Sequence, residues 1–350
     1  MVKQLPSLVT RARSLAIQQV LDEAAEKGDI NASNERDLRN AMQLQLEGFG
    51  FLQQYLDDET VEEVWVNRPS EVWFARNGVN QSQSVSFTSQ DLHTLVERMI
   101  RTTGRRLDRS SPFIDAQLPN GYRLHAVIPD ITREFLSLNI RKFSNRVLTL
   151  SDLVDRGVLS ESAAQFLVNE LKHGSNLIIS GATQAGKTTL LSALLSSLDV
   201  SERVVSVEDT FELRCLLPDW VALQTRPASI EGRNEIDLRR LVRETLRMRP
   251  SRLVVGEVRS GEALDMLIAM NSGIPGLCTV HANSTAEALQ KLRTLPLLAG
   301  ANISSQFIDS VIASSMRLFV HCTRNNRGQR TVSAIAKLSE ASLTLTEVHP

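Results

Sequence analysis

The 350 residues predict an α/β domain with a parallel sheet, preceded by a smaller α+β domain and a helical N-terminal extension. Three observations carry this expectation. Beyond residue 150, short apolar runs alternate with helix-forming runs, the pattern of strands covered by helices on both faces. Between residues 61 and 143 the apolar runs are short, alternate with polar residues and are punctuated by two Asn-Gly turns, Asn77-Gly78 and Asn120-Gly121. Before residue 56 the chain is rich in helix formers, with Ile17, Val20, Leu21 and Ala24 at helical spacing. The expected boundaries are 1–58 for the extension, 59–147 for the α+β domain and 148–350 for the α/β domain.

Within the α+β domain, strands are expected at 61–67 and 71–76, the second running into Asn77-Gly78. Thr88 and Asp91 form a capping pair for a helix that places Leu92, Leu95, Val96, Met99 and Ile100 on one face. Two further strands are expected at 122–128 and 135–143, where Leu136, Leu138 and Ile140 alternate with Ser137, Asn139 and Arg141. The second domain reads as helix 161–172, strand 177–180, helix 188–198, strand 203–207, helix 237–248, strand 252–258, helix 262–270 and strand 278–280. Residues after about 323 carry no functional signal.

Composition narrows the function. Apolar residues make up 42% of the chain, enough to build full cores, and Lys+Arg 39 against Asp+Glu 40 leaves a formal net charge of −1. No global field attracts nucleic acid or anionic lipid, so direct nucleic-acid binding is not expected. Cys215, Cys278 and Cys322 lie far apart without a Cys-x-x-Cys pair, which argues against a disulfide framework or a four-cysteine zinc site and for a reducing, intracellular setting. The N-terminal stretch has no apolar run of signal-peptide length, and the charge-free stretch 266–286 contains Asn271, Ser272, Gly273, Pro275 and His281, too polar for a spanning helix.

The strongest motif is Gly181-Ala182-Thr183-Gln184-Ala185-Gly186-Lys187-Thr188, which fits G-x-x-x-x-G-K-[ST] between an apolar strand and a helix-forming run. Such a loop turns backbone N–H groups toward phosphate, the helix N-terminus adds partial positive charge, Lys187 neutralises β/γ oxygens and Thr188 offers a hydroxyl to Mg²⁺. ATP and Mg²⁺ are therefore the expected ligands. An apolar strand, 253–256, ends in Glu257, a candidate general base, although a strand-end glutamate by itself is equally a solvated edge residue. Glu208, Asp209 and Glu212 close the strand after the loop's helix and can hold Mg²⁺ through water; the alternative is a strand-to-loop junction with an ordinary aspartate turn. His281 follows the run 278–280 in a polar cluster with Asn283 and Ser284, and none of the other histidines stands at metal-ligand spacing to it.

The order P-loop, VEDTFEL, LVRETLRMRPSRLVVGEVRSGEALDMLIAMNSG, CTVHANS resembles the secretion ATPase superfamily of type II and type IV secretion systems, and within it the CpaF/TadA type that powers Tad (Flp) pilus assembly. GRRLDRSSPFIDAQLPNGYRLHAVIPD and LNIRKF resemble that family's N-terminal module, so the likeness spans roughly residues 61–321. The resemblance implies a RecA-like P-loop NTPase domain and ATP hydrolysis. It implies that Gly181, Ala182, Thr183, Gln184, Ala185, Gly186, Lys187, Thr188 and Thr189 form the Walker A loop, that Glu208, Asp209 and Glu212 form an acidic "Asp box", and that Gly256 and Glu257 end the Walker B strand. His281 matches the "His box" near the γ-phosphate, Arg123 and Arg141 match arginines directed at the nucleotide, and Arg259 lies in the GEVR segment. It further implies a cytoplasmic homohexamer, peripheral at the inner membrane and coupled to a platform protein there.

Two departures qualify the match. Gln184 stands where the family has glycine, and Gly256 stands where many Walker B strands outside it carry aspartate. The four-cysteine zinc module of type II secretion and pilus-extension ATPases is missing. The competing readings are a conjugative type IV or DNA-uptake motor, and a nucleotide-binding assembly scaffold with little turnover.

Overall fold

The computed structural model describes residues 48–103, 105–142, 147–228 and 233–349. The helices expected in the first 47 residues lie outside the described residues. The chain divides into two compact units between Ser144 and Asn145.

In the first unit, α1 (Gln53–Asp57) leads to β1 (Val61–Arg68), β2 (Glu71–Arg76), β3 (Val79–Ser84), α2 (Ser89–Ile100), β4 (Phe113–Gln117), β5 (Arg123–Val127) and β6 (Ser137–Arg141). Among the described residues these strands make a six-stranded antiparallel sheet in the order β3-β2-β1-β6-β5-β4. Alternation along β4, β5 and β6 sends Ile114, Ala116, Leu124, Ala126, Leu138 and Ile140 into one core with Leu92, Leu95, Val96 and Met99 of α2. The expected cap of α2 forms: Thr88 Oγ1 accepts from the Asp91 N–H, and the Asp91 carboxylate accepts from the Thr88 N–H. Strand β3 carries no apolar alternation because each of its residues is exposed, and backbone pairing to β2 is what makes it a strand.

In the second unit the order is α3 (Leu150–Asp155), α4 (Glu161–Lys172), β7 (Asn176–Gly181), α5 (Lys187–Leu195), β8 (Val204–Glu208), β9 (Trp220–Gln224), α6 (Leu238–Thr245), β10 (Arg252–Val258), α7 (Glu262–Asn271), β11 (Gly276–Val280), α8 (Thr285–Thr294), α9 (Ser305–Ser315), β12 (Met316–Arg324), β13 (Arg330–Leu338) and β14 (Leu345–His349). The described strands form one eight-stranded sheet, β14-β13-β12-β7-β11-β10-β8-β9. Strands β12 through β9 in that order are parallel, and β13 and β14 close the edge antiparallel.

Successive residues of the central strands feed opposite cores. Leu177, Ile179, Val254, Leu277, Leu318 and Val320 pack with the apolar faces of α3, α4 and α5. Ile178, Val207, Val255, Cys278 and Phe319 pack with those of α6, α7, α8 and α9. Coverage on both faces is why these strands read as continuous apolar runs, with each residue of β7, β8 and β11 buried.

Candidate nucleotide-binding site

Strand β7 ends at Gly181, and the chain curls through residues 182–186 before α5 begins at Lys187. Two glycines are required sterically. At Gly181 (φ +154°) a Cβ would collide with the Cys322 carbonyl oxygen of β12, and Gly186 enters the helix at φ +95°. Gln184 adopts φ +61° despite its side chain. Lys187 is buried, and its ammonium donates to the carbonyl oxygens of Gly181 (3.0 Å) and Ala182 (2.9 Å). Thr188 follows in the first turn of α5, where N–H groups lacking intrahelical acceptors face the loop.

Neighbouring parallel strands bring their carboxyl ends to this loop. Glu257, near the end of β10, places Oε1 2.6 Å from His281 Nε2 and Oε2 2.5 Å from the Arg259 guanidinium. The other ring nitrogen, His281 Nδ1, is 3.3 Å from Lys187 Nζ. Lysine can only donate, so Nδ1 accepts and the proton sits on Nε2, although Glu257 Oε1 beside it accepts no hydrogen bond among the described residues. Burial, together with the Lys187 charge, holds the imidazole below its ordinary pKa, which matches this neutral tautomer. A cross-strand bond from Thr279 Oγ1 to the Gly256 carbonyl (2.6 Å) ties β11 to β10 just before both side chains.

Of the three expected metal carboxylates, Glu208 and Asp209 stand in different surroundings. Glu208 is buried, and its Oε2 accepts from the N–H groups of Glu212 and Leu213, each at 2.8 Å. Asp209 is exposed and lies 3.4 Å from Arg259. Among the described residues no three His, Cys, Asp or Glu side chains gather as a metal site. The separation follows from the pleat, which turns Glu208 inward and Asp209 outward. Glu208 nonetheless suits a cation, because its Oε1 is buried without a hydrogen-bond partner among the described residues. Burial pushes its carboxyl up to about 7, against the two backbone N–H bonds that pull it down. A Cβ at Gly256 would stand 2.8 Å from Glu208 Cγ, so the glycine on β10 is the space that Glu208 of β8 fills.

Arg123 and Arg141 belong to the first unit, where they are direct cross-strand partners on β5 and β6. They line a polar depression of about 420 Å³ on the sheet face with Glu63, Asp115, His125 and Asn139. Asp115 Oδ1 lies 3.1 Å from His125 Nδ1 and 3.7 Å from Arg123. The second unit adds contacts that sequence reasoning did not find. Arg324 donates to Gln184 Oε1 (2.6 Å), Arg330 donates to the Gln184 carbonyl (2.9 Å), and Lys291 donates to the His281 carbonyl. Their segments carry no motif; strand pairing places Arg324 and Arg330, and the helix after β11 places Lys291.

A phosphate-type loop between strand and helix, with a glutamate and a histidine on adjacent strand ends, defines the RecA-like fold of a P-loop NTPase, preceded here by an α+β unit. The chain belongs to the type II/IV secretion system protein family, whose pattern matches residues 45–344. It is 35% identical over 308 residues to a putative conjugal transfer protein of Mycobacterium tuberculosis, covering 86% of this chain and 87% of that one. It is 34% identical over 265 residues to the type IV secretion system protein PtlH of Bordetella pertussis, covering 69% and 78%. The fold is shared with the Legionella pneumophila ATPase DotB at a TM-score of 0.61 and 19% identity, covering 85% of this chain and 80% of that one. It is shared with the pilus retraction motor PilT at 0.58 and 14%, covering 85% and 82%. Among the described residues no helix is long and apolar enough to cross a membrane.

Proposed function

We propose that this chain is an ATP-hydrolysing motor subunit of a secretion, transfer or pilus-assembly machine, acting as a homohexameric ring at the cytoplasmic face of the inner membrane against a platform protein. The observation that carries the reading is Glu257, held between His281 and Arg259 at the strand edge where the P-loop begins. In this reading Lys187 exchanges the Gly181 and Ala182 carbonyls for the β/γ oxygens of ATP. Glu257 takes the proton of the attacking water, and Arg259 and His281 fix the carboxylate's direction. Thr188 and Glu208 would hold Mg²⁺, which supplies positive charge to the phosphate oxygens when bound. Arg123 and Arg141 add charge as the transition state forms, which links turnover to movement of the first unit.

Two machines fit. The CpaF-type motif order supports a Tad pilus, whereas the relatives named for conjugal transfer support a type IV transfer system. Stimulation of turnover by single-stranded DNA that falls steeply with salt would favour the second. The motor reading itself is tested by ATP titration of Lys187→Ala, expected to lose binding, and by turnover per chain against protein concentration. A specific rate that climbs with concentration supports a site completed on assembly. Unchanged ATP affinity in Lys187→Ala would remove the reading.

A further inference from the structure

We propose that Arg324 and Arg330 are positioning residues that brace the P-loop at Gln184 and so set its affinity for phosphate. The inference rests on reading that loop as the ATP site. Gln184 sits at φ +61°, a conformation that a residue with a Cβ adopts only at a cost in free energy. Contacts from both arginines hold it there. Arg324 grips the side chain through Oε1 at 2.6 Å, and Arg330 grips the backbone through the carbonyl oxygen at 2.9 Å.

These arginines face each other directly across the β12–β13 pair. Like charges in that position repel, unless an acceptor takes both. Here one loop residue does so, with two different oxygens. The same hairpin touches the loop at both ends. The Cys322 carbonyl crowds Gly181, and the Arg330 Cδ stands 3.3 Å from where a Gly186 Cβ would project. Strand β12 is also the parallel neighbour of β7, with Cys322 paired to Gly181, so the brace is anchored in the sheet that delivers the loop.

The consequence is mechanical. Without the brace, Gln184 relaxes toward negative φ, which rotates the adjoining peptide and turns its N–H away from the anion position. A glycine at 184 carries no such penalty and needs no brace. Arg324 therefore matters because Gln184 is there, and the two positions are coupled.

The experiment is a double-mutant cycle on the full chain, with ATP affinity and steady-state turnover as readouts. Arg324→Ala should weaken ATP binding about three- to tenfold, raising KM while kcat at saturation stays within about twofold. Against the Gln184→Gly background, whatever ATP affinity that variant itself shows, adding Arg324→Ala should change binding by less than about twofold. Arg324→Lys should recover part of the loss. An equal loss in both backgrounds, or none in either, overturns the brace. Amide hydrogen exchange over residues 182–186 in the nucleotide-free protein decides the matter independently. Exchange there should be faster in Arg324→Ala than in wild type, and equal exchange overturns the proposal. Should the wild-type chain bind no ATP, the motor reading fails while the exchange result still decides the brace.

Discussion

The two sheets of this molecule are buried differently, and each shows its chemistry where burial leaves room. In the second unit both faces are covered, β7, β8 and β11 are buried throughout, and the loop glycine and the charged or titratable side chains around it stand where strands end: Gly181, Glu208, Glu257 and His281. In the first unit α2 packs on one face, so polar and charged side chains lie along the strands at alternate positions, as Arg123 and His125 do on β5 and Asn139 and Arg141 do on β6. The lesson is positional. A doubly covered sheet is read at its edge, and a singly covered sheet is read across its open face.

The comparison breaks most sharply at Glu257. If the strand ends carry the chemistry, Glu257→Gln should keep ATP binding and lose turnover by about 10² to 10⁴. A variant that retains half the wild-type rate would show that the edge carboxylate is not the base. Next in size is the buried layer itself. Ile179→Ala removes a side chain buried against α4 and α5, and chemical denaturation should record a loss of about 2–5 kcal/mol.

Glu208 sharpens the comparison through pH. Its folded value of about 7 stands above the ordinary 4.5, so between those values the folded protein keeps a proton that the unfolded chain releases. Stability from this group is complete below pH 4.5 and declines as pH rises to about 7, by roughly 3 kcal/mol in total. Glu208→Gln should flatten that part of the Tm–pH curve, and an unaltered slope would place the proton elsewhere. The smallest effect is expected on the open face. His125→Ala loses only a half-exposed contact to Asp115, so stability should change by less than about 0.5 kcal/mol. A loss several times larger would mean that this face is packed rather than presented.

Much of the architecture was legible from periodicity. The strand at Glu71–Arg76, the helix at Glu161–Lys172 and the strand at Arg252–Val258 fall where spacing predicts them. Helix ends were less legible. The helix expected to reach residue 198 stops at Leu195, and Ser196 and Ser197 hydroxyls donate back to the Ser192 and Leu194 carbonyls. The helix expected at 237–248 ends at Thr245, whose hydroxyl donates to the Val242 carbonyl. Strands β3, β9 and β14 escaped because their residues are exposed or half-buried and pairing alone orders them.

The sequence by itself pointed to the P-loop motif, to a parallel sheet in the second unit and to Lys187, Glu257 and His281 as candidates, because each is written in neighbouring residues through spacing and strand-helix alternation. Tertiary structure alone decided that Glu208 fills the space left at Gly256, that Asp209 turns away from it, and that Arg324 and Arg330 converge on Gln184. Those contacts join residues as many as 146 positions apart, and they exist only once the sheet register sets which strand ends become neighbours.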